Sequence, residues 1–153
     1  MKLNRVEELG RERAAVLGFH VEILRLPDRF RDIDAKFWRQ ERASELQSLP
    51  ETHDADDDIK GEVRFGSPIS KQEKVISVRL NYRDHATETG STIPDEPVVF
   101  MKAPNYVVGP NDEILVPRNS KKTDWEIILG VVIGQRTRYL VSPNKTREAM
   151  AGY

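Results

Sequence analysis

From residue 71 onward, short β-rich runs alternate with Pro, Gly and Asn turn signals. This alternation constrains the fold more than any other feature of the chain. The runs are 74–80 (KVISVRL), 97–101 (PVVFM), 106–108 (YVV), 113–116 (EILV), 124–133 (DWEIILGVVI) and 138–141 (RYLV). Pro104, Gly109-Pro110-Asn111 and Pro117 separate them. The pattern predicts a mostly antiparallel or mixed β-fold with few helices. There is no internal repeat and no low-complexity tract.

Residues 1–70 have a different character, dense in charge and weakly patterned. In segment 4–17 (NRVEELGRERAAVL), Val6, Leu9 and Ala14 or Leu17 fall on one side of a short helix, which Gly10 weakens. Residues 21–25 (VEILR) read as a strand. Residues 35–47 (AKFWRQERASELQ) read as a helix, with Ala35, Trp38 and Leu46 near one face and Pro50 as a stop signal. The following ETHDADDDIKGE carries four Asp in the five positions from Asp54 to Asp58. It reads as a solvated loop, because the alternating ligands, Gly turn and closing Glu of a calcium loop are absent.

Composition excludes several functions. The 153 residues suit one domain, or a small domain plus part of another. With 38% hydrophobic and 32% charged residues, the surface is well solvated. No run of 18 apolar residues exists, so no transmembrane helix is expected. The start, MKLNRVEELGRER, lacks the apolar stretch of a signal peptide. Zero Cys excludes disulfides, thiolate metal sites and a Cys nucleophile. The 24 basic and 25 acidic residues leave a net charge of -1, which gives no electrostatic footprint for nucleic acid or an anionic membrane. A cytoplasmic location, without nucleic-acid or membrane partners, is the expectation.

Three features carry chemistry. Asn81-Tyr82-Arg83-Asp84-His85-Ala86-Thr87-Glu88 follows a strand-like run, where functional loops tend to sit. A helical turn there makes His85 and Glu88 neighbours at i and i+3. A carboxylate beside an imidazole orients it for general acid or base work. The same spacing equally suits a surface His with an adjacent Glu. His20 and His53 sit in unpatterned segments and read as plain surface residues. In 124–133, Trp125, Ile127, Leu129, Val131 and Ile133 share one strand face. Asp124, Glu126, Ile128, Gly130 and Val132 share the other, so Glu126 is an acid in an otherwise apolar run. Such a group needs a cation, a hydrogen-bond network or solvent. It is either a hard-metal ligand or the partner of a cation such as Lys121, Lys122 or Arg138. Finally, Lys102 ends a strand in Phe100-Met101-Lys102-Ala103-Pro104. It offers a point charge to a carboxylate or enolate, or is an ordinary exposed Lys.

These blocks, in this order, resemble the fumarylacetoacetate hydrolase family. The matching stretches are RFGSPIS at 64–70, KVISVRLNYRDHATETG at 74–90, PDEPVVFMKAP at 94–104, GPNDEILVPRNS at 109–120, KTDWEIILGVVIGQRTRYL at 122–140 and AGY at 151–153. The combination of NYxxHxxE, FxKxP and DWExxLxxVIG is specific. The resemblance implies an α+β, mostly β fold. A small N-terminal domain over 1–62 would precede the first part of a mixed β-roll catalytic domain over 63–153. It implies Mg²⁺- or Mn²⁺-dependent hydrolase or lyase chemistry that cleaves C–C bonds of acylpyruvates, β-diketo acids or related oxo acids in their catabolism. By the same resemblance, His85 and Glu88 are the dyad that activates water, Lys102 stabilises the oxyanion or enolate, and Glu126 is the first metal ligand.

The chain departs from the family pattern in three places. Ile128 stands where the family's E-x-E pair has its second carboxylate. The chain stops at Tyr153, before the segment that carries the Asp ligand. Arg79 replaces a Gly before Leu80-Asn81-Tyr82, and could crowd the pocket mouth. A truncated chain with impaired activity is therefore expected. The alternative is a non-catalytic remnant or interaction module, pairing through open β edges with a second copy or a full-length relative.

Overall fold

The computed structural model describes residues 2–18, 22–38, 45–46, 48, 59 and 61–153. Strands predominate over short helices, and the fold is α+β. Among the described residues, no helix is long and apolar enough to cross a membrane. The chain forms two compact units: Met1–Ser70 together with Gly109–Tyr153, and Lys71–Val108.

The first unit begins with an antiparallel sheet, β1 (Lys2–Val6), β2 (Arg13–Leu17) and β3 (Ile23–Arg25), in that order. β1 meets β2 from Lys2↔Leu17 to Val6↔Arg13, and β2 meets β3 from Ala15↔Arg25 to Leu17↔Ile23. The helix expected over 4–17 is thus a hairpin. The turn decides it, because Glu7 (φ 101) and Gly10 (φ 83) lie in the left-handed region, which a helix cannot use. Leu9, placed on the helix's apolar side by periodicity, sits at the turn with 79% of its surface exposed. The strand expected over 21–25 is present as β3.

The core lies against this sheet. Ala14, Leu26, Phe30, Ile33, Phe37 and Leu46 are buried together, with Leu3, Val16, Trp38 and Ile69 packed on them. A 3₁₀ turn over Asp28–Phe30 delivers Phe30, whose ring meets Phe37 edge-on at 6.1 Å. Phe37 in turn meets Trp38 at 4.9 Å. Asp34 Oδ1 accepts from the backbone N–H groups of Lys36 and Phe37 and starts a turn over 35–38, where the helix was expected to begin. Most of that helix, and the acidic run 54–58, lie outside the described residues, as do His20 and His53.

Residues 64–66 run beside the free edge of β1. A bridge joins Val6 to Phe65, with Glu7 N–H donating to Arg64 O at 3.1 Å and Gly66 N–H to Arg5 O at 2.8 Å. Farther on, β6 (Val132–Ile133) pairs antiparallel with β7 (Met150–Gly152). The helix Pro143–Ala149, which was not foreseen, leads into β7. Pro143 at its first turn and the Ser142 Oγ cap, accepting from Lys145 N–H at 3.3 Å, are adequate start signals.

The second unit holds β4 (Val75–Arg79) and β5 (Val98–Lys102), paired antiparallel from Val75↔Lys102 to Arg79↔Val98. These are the strands expected over 74–80 and 97–101. Other expected strands do not form. Tyr106 ends a 3₁₀ turn over Pro104–Tyr106, and 107–108, 113–116 and 138–141 are irregular. Of the long run 124–133, only Val132 and Ile133 are in a strand. A β-rich sequence becomes a strand only when a partner completes its ladder. Residues 124–131 have none among the described residues.

Candidate active site

The second unit carries three of the four candidate residues. β4 ends at Arg79, in the ladder opposite Val98. The left-handed residue at this corner is Leu80 (φ 53), not Arg79. The helix Arg83–Glu88 follows, here α1, making Pro143–Ala149 α2. Its buried Ala86 anchors one side. His85 is half-buried and Glu88 exposed, three positions apart within this one helix. The C-terminal end is closed locally. Thr89 N–H and Oγ1 both donate to His85 O, at 3.2 and 2.9 Å, and Gly90 (φ 62) donates to Thr87 O at 3.1 Å.

Lys102 is the last residue of β5 and is exposed. The register sets it opposite Val75, at the end of β4 away from the corner that leads into α1. Glu126 belongs to the other unit, in the irregular and exposed stretch before β6. The helix therefore unites His85 and Glu88, the unit adds Lys102, and Glu126 is carried separately.

The described residues do not by themselves assemble a Mg²⁺ or Mn²⁺ site. Among the described residues, no group of three or more His, Asp or Glu side chains could hold a metal ion. Glu126 has Ile128 two positions on, which contributes no oxygen. A hard cation ordinarily takes several oxygens.

The strongest electrostatic assembly is one the sequence did not advertise. Arg64 forks between two carboxylates, with Nε and Nη2 at 2.7 and 2.6 Å from Asp112 and Nη1 at 2.9 Å from Glu12. Buried Arg5 donates to Asp32 at 2.6 Å and to Ser67 O at 3.2 Å. The Arg64 guanidinium, then the Gly109 N–H, hold the Asp112 carboxyl below its usual range. Burial pushes Glu12 and Asp32 up. For Glu12 its own backbone N–H, then Arg64 and the charge of Arg5, and for Asp32 Arg5 and Ser70, overcome it and leave both lowered. The same contacts raise Arg64. This network ties the hairpin to residues 64–67 and to the turn at 109–112, all within the first unit. Arg64 lies 48 and 52 residues from its two partners in sequence, so only opposite charge could have hinted at them.

Residues 74–153 match the family model described as fumarylacetoacetate (FAA) hydrolase C-terminal. The chain belongs to the fumarylacetoacetate hydrolase family. Among its relatives, a 2,4-didehydro-3-deoxy-L-rhamnonate hydrolase of Sphingomonas sp. (strain SKA58) is 35% identical over 153 residues, which is 100% of this chain and 51% of that protein. A provisionally named hydrolase of Burkholderia ambifaria (strain MC40-6) is 39% identical over 159 aligned positions, covering 100% of this chain and 53% of its own length. Another, from Burkholderia multivorans (strain ATCC 17616 / 249), is 37% identical over 154, with the same coverage. The chain thus spans about half the length of the curated relatives it matches.

Proposed function

We propose that this chain carries the acid–base portion of a fumarylacetoacetate hydrolase-type active site that hydrolyses a C–C bond of a small oxo acid. The observation that carries this reading is α1, which sets His85 and Glu88 one helical turn apart inside the family-matched segment. The named Sphingomonas relative makes 2,4-didehydro-3-deoxy-L-rhamnonate the first compound to test, with acylpyruvates next. The division into a small N-terminal domain over 1–62 and the first part of a β-roll over 63–153 belongs to the same reading.

His85 takes a proton from water, with Glu88 orienting the imidazole and balancing its charge. The hydroxide oxygen adds to a carbonyl carbon of the substrate. The bond to the neighbouring carbon then breaks, and its electron pair leaves as an enolate. Lys102 supplies positive charge to that enolate, and the proton held by His85 returns to carbon. A Mg²⁺ or Mn²⁺ ion, as the family resemblance implies, would polarise the oxo acid when bound. Glu126 would be one of the residues to hold it.

The test is a chimera in which this chain replaces the matched 51% of the Sphingomonas relative. Turnover of that relative's substrate is expected. His85→Ala and Glu88→Gln should each lower kcat by roughly 100-fold or more, with KM little changed. Turnover within a few-fold of the parent chimera in both variants would contradict the proposed roles.

A further inference from the structure

We infer that Arg79 selects the substrate, receiving with Lys102 an oxo acid that carries a carboxylate at each end. The inference deepens the reading of the second unit as part of an oxo acid hydrolase, and rests on it for the reaction. It does not use the roles of His85, Glu88 or Glu126.

The β4–β5 register carries it. Directly opposed residues of an antiparallel pair share a face, and successive residues alternate. Val75, Ser77 and Arg79 of β4 therefore share one face with Val98, Phe100 and Lys102 of β5. The other face, with Ile76, Val78, Val99 and Met101, is wholly apolar. The two five-residue strands hold two charged side chains, both cations and both on the first face. Arg79 lies opposite Val98 and Lys102 opposite Val75, so the cations stand at opposite ends, four residues apart along the ladder. At about 3.4 Å per residue this is about 14 Å. Ser77 and Phe100 lie between them as a directly opposed pair.

Neither cation is neutralised by a neighbour. Arg79 and Lys102 are exposed and make no ion pair or side-chain hydrogen bond among the described residues. In the first unit, by contrast, Arg5, Arg13, Arg25, Arg29 and Arg64 all meet carboxylates. A guanidinium takes a carboxylate in a bidentate fork, and an ammonium takes one as a point charge. Both side chains are long enough to lean inward from the ends of the face. The Phe100 ring between them, 41% exposed, offers apolar contact to a carbon chain. The matching ligand has an anionic group at each end of a short chain. In the reaction proposed above, that is an oxo acid with a second carboxylate. Lys102 serves the end where the enolate forms, and Arg79 holds the far carboxylate.

The test is binding, read from amide shifts of the isotope-labelled 153-residue chain. The probes are α-ketoglutarate and α-ketovalerate, which differ in one terminal carboxylate. α-Ketoglutarate should shift the amides of Arg79, Val98 and Lys102 together. It should bind at least roughly tenfold more tightly than α-ketovalerate, with an advantage that shrinks as salt rises. Arg79→Gln should erase that advantage and leave α-ketovalerate binding within about twofold, and Arg79→Lys should keep part of it. Unchanged amide exchange across β4 and β5 shows that the ladder is intact in each variant. Equal binding of the two probes, an advantage that survives Arg79→Gln, or no shift in the ladder overturns the inference. The same titration on His85→Ala separates selection from reaction. An unchanged advantage there supports the role of Arg79 even where turnover by the chimera is lost.

Discussion

Arg64 shows how one side chain organises a neighbourhood that no local pattern reveals. Its guanidinium meets Asp112 with two nitrogens and Glu12 with a third, a planar fork that Lys cannot reproduce. Glu12, Asp32 and Asp112 all titrate below their ordinary values in the folded state. The folded chain therefore binds fewer protons than the unfolded chain in the acid range, and the pairing is fully present above about pH 5. Stability should fall as pH drops through about 4 and below. Melting followed by circular dichroism, from neutral pH down into the acid range, checks this. Asp32→Asn should lower Tm at neutral pH and flatten the acid slope; an unchanged slope would separate the slope from this pair. Gly109 makes a second residue-level demand. A Cβ there would stand 2.0 Å from the Phe65 carbonyl oxygen, so backbone must move. Gly109→Ala should cost about 1–3 kcal/mol, read by denaturant titration. The helical turn over His85 and Glu88, by contrast, was legible, because the two lie three positions apart in one helix, whereas Arg64 and its partners meet only through the tertiary fold.

Elements followed the sequence where their partners were local. β4 and β5 form near their expected bounds because both strands lie in the same unit and complete each other's ladder. Helical periodicity over 4–17 failed because Val6 and Ala14 are buried by a hairpin, with Glu7 and Gly10 in the turn between them. The run 124–133 has the composition of a strand but lacks a neighbour over most of its length among the described residues, so composition alone could not make it one. α2 was missed because PNKTREA has no apolar stripe, yet its cap is visible as Ser142-Pro143. Ser142→Ala removes the oxygen that accepts from Lys145 N–H. It should cost about 1 kcal/mol in this helix. Faster amide exchange at Lys145 and Thr146 would register it, while β1 and β2 stay protected.

At the scale of the whole molecule, the first unit has a packed aromatic core and a paired-charge network, and the second presents the His85–Glu88 helix and the β4–β5 hairpin. Family membership joins these features to hydrolases about twice as long. The run before β6 is apolar and exposed over Trp125, Ile127, Ile128 and Leu129. The central proposal is that His85 is the base in the hydrolysis proposed for this chain. Its most direct test is turnover of 2,4-didehydro-3-deoxy-L-rhamnonate by the chain mixed with the unmatched half of the Sphingomonas relative, with the unaltered chain and its His85→Ala variant assayed in parallel. Activity that appears on mixing and falls by roughly 100-fold with His85→Ala is the predicted result. A stable complex without turnover, or with turnover indifferent to His85, would contradict it.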